Sequence, residues 1–196
     1  MSAFRSLSGK KQAWPGQAKI DASDPERTRE QQSVKLVQSA HPGNIMPQIQ
    51  TEFLFTIGLD FEFPFLGETP YGFRRIGRLT GGNFEGPKLK GVVLPGGGAW
   101  TLVRRDNVLD IEVRLLLETS DKHQIYMYWK ALRDVPKDVA DRLRRGETVD
   151  PGAYYFRATP YFETSSDTYG WMNRICAVAS GSLATNARSL DVFQVL

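Results

Sequence analysis

The segment from Leu109 to Glu118 constrains this chain more than any other. Its odd positions, Leu109, Ile111, Val113, Leu115 and Leu117, are all aliphatic, whereas its even positions are Asp110, Glu112, Arg114, Leu116 and Glu118. A period of two puts successive side chains on opposite sides of an extended backbone, so this is a strand with one apolar and one mostly charged face. Two arrangements satisfy that division. In a simple sheet the charged face is solvated. In a closed barrel it lines a polar cavity, while the aliphatic face is covered by a helix or another subunit. The second arrangement opens a further use for the stripe from Leu109 to Leu117, as an interface between copies in a homo-oligomer.

Further strands are expected at Glu52 to Ile57, Tyr71 to Thr80, Leu89 to Leu94, Trp100 to Val103, Gln124 to Trp129, Ala153 to Thr159, Gly170 to Ser180 and Leu190 to Leu196. They are aromatic and β-branched segments separated by Gly-rich turns, with Gly81-Gly82-Asn83 a turn or bulge, and many such strands at short spacing indicate an antiparallel sandwich or barrel. One helix is expected from Pro136 to Arg145, with Asp134 as its cap, Val139 and Leu143 four apart, and basic residues in the last turn before Gly146. Residues 1–48 differ in kind. Ser, Gln, Lys, Arg, Asp and Pro dominate there, which marks a polar N-terminal extension, disordered or docked, before a single domain over 49–196. Its best local structure is a short helix from Asp24-Pro25-Glu26 towards Leu36, and Trp14 is the residue that argues for docking.

Composition limits the chemistry. With two His (His41 and His123) and the single Cys176, a three-His zinc site, a Cys-rich zinc site and a disulfide framework are excluded by count, so no metal site and no cofactor is expected. A net charge of +3 with basic residues in short pairs such as Arg74-Arg75, and no aromatic-basic module, argues against nucleic acid. No apolar run reaches membrane-span length and the N-terminus lacks a signal-peptide core, so no membrane partner and a cytoplasmic location are expected. If the chain is an enzyme, Tyr, Arg and carboxylates must do the work.

Five ordered blocks sharpen this. Gly81-Gly82-Asn83-Phe84-Glu85-Gly86-Pro87, Gly91 to Trp100, Glu118-Thr119-Ser120-Asp121, Tyr154 to Thr164, and Tyr169-Gly170-Trp171-Met172-Asn173-Arg174 together resemble, over residues 50–196, the family catalogued as domain of unknown function 3237. The resemblance implies an all-β, antiparallel, calycin/lipocalin-like β-barrel and leaves the activity open. Two departures stand out. The family's acidic residue before the loop tryptophan is replaced in Gly98-Ala99-Trp100, and its Asp-Gly hairpin turn is Asp121-Lys122 here. A lysine where positive φ is wanted costs energy, which predicts a longer or differently shaped turn.

Candidate site residues come from the polar strand faces. Arg157 presents a fork of donors suited to an oxyanion, Tyr126 or Tyr155 would move a proton, and Glu112 would act as base or orient Arg114, with Glu85 the other available carboxylate. Trp171 and Asn173, placed two apart on one strand, would supply a pocket wall and an orienting hydrogen bond, and Trp100 would cap a barrel mouth. The competing reading of the charged groups is a structural ion pair, and of the aromatics, core packing. Cys176 in its apolar stretch reads as a small core residue, and His123 as a solvated turn residue. These groups suit a cofactor-independent lyase, isomerase or cyclase acting on a small aromatic or carbonyl compound in the barrel cavity. The alternative is a non-catalytic binding protein for a small apolar ligand.

Overall fold

A computed structural model describes residues 48–183 and 188–196. The expected helix from Asp24 and Trp14 lie outside the described residues. The compact unit begins at Ile49. It contains β1 (Thr51–Glu62), β2 (Phe65–Thr69), β3 (Gly72–Glu85), β4 (Lys90–Val103), β5 (Leu109–Thr119), β6 (Gln124–Asp134), α1 (Lys137–Arg144), β7 (Tyr155–Glu163), β8 (Ala177–Leu183) and β9 (Arg188–Val195). The pairing order β1-β9-β8-β7-β6-β5-β4-β3 is closed by a β1–β3 ladder, giving an eight-stranded antiparallel barrel with β2 laid along the first half of β3. Closure leaves no barrel edge to pair with another chain.

Closure also settles which face of β5 points inward. Ile111, Val113, Leu115 and Leu117 are all buried, and they meet the inward residues Ile125, Met127 and Trp129 of β6 and Phe156 and Phe162 of β7. The interior is therefore the apolar side. The alternative with charged residues lining the lumen is overturned, and so is the aliphatic stripe as an oligomer interface, because that stripe fills the barrel. The physical reason is desolvation. Eight strands enclose little more than the volume of their own inward side chains, and burying Glu112, Arg114 and Glu118 there would cost far more than burying leucine.

One end of the barrel is sealed. Leu54, Phe55, Leu117 and Ile125 are fully buried there, and Phe55 packs edge-on against Phe84 (5.5 Å between centroids) and Phe162 (6.1 Å). Leu89 and Met172 join the same cluster.

Several element boundaries differ from the sequence expectation. The segments expected at Leu89 to Leu94 and Trp100 to Val103 fall in one strand, β4, which starts at Lys90 and whose Pro95-Gly96-Gly97 stretch is a register shift rather than a turn. Gly81-Gly82, expected as a turn or bulge, is an irregularity inside β3, where a side chain at Gly82 (φ 146°) would stand 2.2 Å from the Gly58 carbonyl oxygen of β1. The segment expected as a strand from Gly170 begins as a 3-10 turn over Gly170–Arg174, so Trp171 and Asn173 do not share a strand face. Asp134 ends β6 and does not cap α1, whose N-cap is Pro136 with no side-chain hydrogen bond. The helix is held instead by Val139 on its buried face and stopped by Gly146 at φ 83°.

Candidate functional site

At the other end the interior opens. An arginine stands at the open-end limit of the inward run in both β3 and β6: Arg75 precedes Gly77 and Leu79, and Arg133 follows Trp129 and Ala131. Arg75 stands opposite Thr101 of β4, and Arg133 is flanked by Leu109 of β5 and Phe156 of β7. Together they form a neck between two spaces. The inner cavity, about 50 Å³, has walls of Phe61, Phe63, Trp129 and Phe156, with the hydroxyls of Thr101 and Ser189. The outer vestibule, about 900 Å³, opens between the β4–β5 turn and α1 and is lined by Val135, Ala140, Leu143, Asp134 and Lys137 among others. Arg75, Leu109 and Arg133 line both.

Glycines shape this end by leaving room for rings. A side chain at Gly181 would meet the Phe156 ring at 2.0 Å, and one at Gly77 would meet the Phe63 ring at 2.8 Å. The Arg133 guanidinium lies 5.9 Å from the centre of the Phe156 ring. Burial pulls the Arg75 guanidinium below its ordinary pKa, and its Nε is buried without a hydrogen-bond partner. Neither arginine was picked out from the sequence. The legible signal is a cation in phase with an otherwise apolar run, whereas the candidate residues are chosen as polar groups in phase with one another.

The residues selected that way stand on the outer wall, in separate places. Arg114 pairs with Glu112 at 2.6 Å, and its guanidinium lies over Trp100 (5.8 Å) and Tyr128 (5.2 Å). Trp100 thus packs outside the barrel and does not cap its mouth. Tyr155 and Arg157 lie on β7, with the guanidinium 5.6 Å from the Tyr155 ring and donating through Nη1 to the Phe156 carbonyl at 3.0 Å. They line a shallow outer depression of about 740 Å³ together with Lys130, Thr159, Val178 and Phe193. Tyr126 is on another row, between Leu116 and Glu163.

The remaining candidates sit towards the sealed end. Glu85 is exposed opposite Lys90. The Lys88 ammonium lies 5.8 Å over Trp171, while the Asn173 amide accepts from the Thr164 N–H (2.8 Å) and donates to the Thr164 carbonyl (2.9 Å). Asn173 thus has its amide occupied by backbone. Nearby, Tyr169 donates its hydroxyl proton to Asp121 Oδ1 at 3.0 Å, and His123 packs edge-on to the Tyr169 ring with its side chain still partly exposed at the turn. Hydrogen bonds from Thr119 and Tyr169 hold the Asp121 carboxyl below its ordinary pKa, and burial together with Asp121 pushes Tyr169 up. Cys176 is exposed and not a core residue. Among the described residues no group of three His, Cys, Asp or Glu side chains could hold a metal ion, and no helix is long and apolar enough to cross a membrane.

Comparison with known proteins places this geometry in a family. The family described as "Protein of unknown function (DUF3237)" matches residues 49–195. UPF0311 proteins of Rhodopseudomonas palustris and Bradyrhizobium diazoefficiens are 33% and 35% identical over 151 residues, which is 76% of this chain and 99% of each relative. The crystal structure of the conserved R. palustris protein superposes with a TM-score of 0.71, covering 77% of this chain and all (100%) of that one, at 33% identity. A β-barrel-like protein from Acinetobacter baumannii gives 0.67 at 37% identity, covering 78% and 99%. An enzyme from Penicillium herquei shares the fold at 21% identity, with a TM-score of 0.59 over 79% of this chain and 100% of that one. By its family match and by these relatives, the chain belongs to the DUF3237 family of β-barrel proteins.

Proposed function

We propose that this barrel takes a small aromatic or carbonyl compound into its open end and promotes a cofactor-independent proton transfer of the lyase, isomerase or cyclase kind. The observation that carries the reading is the convergence of two arginines and four aromatic walls on the unsealed end. Positive charge at the neck stabilises an enolate or phenolate as it develops, and the apolar walls strengthen that interaction by excluding water. Two carboxylates stand in the vestibule wall, Asp106, which pairs with Arg104, and Asp134, which would serve as the base. The Penicillium herquei enzyme adds that this fold can carry a catalyst.

A specific observation favours a second reading, that of a non-catalytic carrier. The inner lining contains hydroxyls and guanidinium groups and no carboxylate, tyrosine or histidine. The outer-wall pair Tyr155 and Arg157 offers the same chemistry at another place, with Arg157 as oxyanion holder and Tyr155 as proton donor.

Deuterium exchange separates these readings. Enolisable aryl ketones incubated in heavy water with the protein, and followed by proton NMR, should lose their α-protons faster than in buffer. Arg75→Gln should abolish the acceleration and Arg157→Gln should leave it. Loss in Arg157→Gln alone moves the site to the outer wall, and compounds that bind without any exchange leave the carrier reading standing.

A further inference from the structure

The outer wall of β6 carries a charge pattern that the barrel itself does not use. Leu132 stands on that wall at 43% exposure, and in its cross-strand row Asp110 of β5 lies on one side and Arg157 of β7 on the other. Along β6 the next outward residues are Lys130 and Asp134, one on each side of Leu132. Each charge thus faces its opposite across the same leucine. All four are exposed, and among the described residues none of them makes an ion pair. The positions around them are apolar or aromatic. Leu102 is opposite Asp110, Tyr155 is two residues from Arg157, and Val178 is two from Ser180, the residue that Arg157 faces.

We propose that this wall is the centre of an isologous homodimer whose two-fold axis passes through Leu132. Half a turn about that axis sets Leu132 against Leu132, Asp110 against the partner's Arg157, and Lys130 against the partner's Asp134, each pair occurring twice. By the same register it carries Arg104 and Val108, which close the β4–β5 turn, over the partner's Val178 and Thr159 in the wall depression of about 740 Å³. A second copy supplies the matching order of acids and bases by symmetry alone, whereas any other partner would have to reproduce it. Acids and bases balance across the patch, so like copies do not repel there. The contact is face to face, which barrel closure leaves possible, and it uses the outward faces of β5, β6 and β7 instead of the aliphatic stripe that fills the interior. Asp134 also borders the vestibule, so the partner's Lys130 stands at the rim of the open end.

Sedimentation equilibrium of the full chain at low salt, from about 1 to about 100 μM, covers the affinity range of a contact of this kind. The chain should be dimeric at the upper end, and added salt should loosen the dimer. Asp110→Arg and Arg157→Glu should each weaken it by about tenfold or more, because each sets like charges together at two symmetry-related places. The double variant Asp110→Arg/Arg157→Glu exchanges the signs and should restore the dimer, which neither a folding defect nor a contact elsewhere on the surface would do. Leu132→Arg brings two cations together on the axis and should abolish the dimer, which covers the case in which one of the other single variants does not fold. A monomer at about 100 μM, a dimer indifferent to these substitutions, or a double variant as weak as the single ones overturns the proposal.

Discussion

Lys122 carries the left-handed backbone of the β5–β6 hairpin, at φ 70°, and Asn107 does the same in the β4–β5 hairpin at φ 67°. The two turns are built alike. Residue 122 donates its N–H to the Thr119 carbonyl and residue 107 to the Arg104 carbonyl, and His123 and Val108 close the loops. Asparagine tolerates this conformation and lysine does so poorly. The residue pattern makes that cost legible, because Lys122 stands where the resemblance implies glycine, and the turn it sits in is a three-residue loop closed between Thr119 and His123. Lys122→Gly should therefore raise stability by about 0.5 kcal/mol. Relief of the left-handed strain outweighs glycine's chain entropy and the exposed Lys122–Glu118 pair. Thermal unfolding of the two proteins checks this, and a lower midpoint for the glycine variant would refute it. By contrast, Arg75 and Arg133 were overlooked because nothing in the identity of a residue says whether its strand face is wet.

β5 shows how far an element can be read by itself. Its alternation fixed the strand and the membership of each face, and both survive in the structure. What alternation lacks is a direction, because a period of two is symmetric under exchange of inside and outside. A paired truncation measures that direction. Leu117 is fully buried at the sealed end, so Leu117→Ala should cost about 2–5 kcal/mol in a denaturant titration. Leu116→Ala, one residue away on the outer face, should cost under about 1 kcal/mol. Comparable losses at the two positions would contradict the assignment of faces. The same ambiguity explains the candidate site. Glu112, Arg114, Tyr126, Tyr155 and Arg157 were grouped as polar faces of neighbouring strands, which is correct as a grouping, yet closure turns that grouping outwards. In β4 a different limit applies: Pro95-Gly96-Gly97 has the composition of a turn, but pairing with β3 and β5 resumes at Gly98, so the stretch is an irregularity inside one strand and not a reversal.

At the scale of the whole molecule the barrel is asymmetric along its axis, sealed by aromatic and aliphatic packing at one end and open through a cationic neck at the other. The wall also varies around its circumference. β5 and β6 pair over their full lengths, whereas β7 and β8 pair through Arg157–Ser180 and Ala158–Ala179 alone. Opening free energies should follow that distribution. In a hydrogen-exchange experiment the amides of Leu115, Leu117 and Met127 should be the last to exchange, and those of Ala177 and Val178 should exchange much sooner. Uniform protection around the wall would show that the β7–β8 seam is stronger than its pairing. By itself the sequence determined the strands, their alternation, the short helix and, through five ordered blocks, the barrel family, because these depend on local period, turn chemistry and conformational preference. Tertiary structure alone decided which face is the interior and hence which arginines guard the opening. That decision is made by the β1–β9 and β1–β3 ladders, pairings between segments distant in the chain, and no local pattern records them.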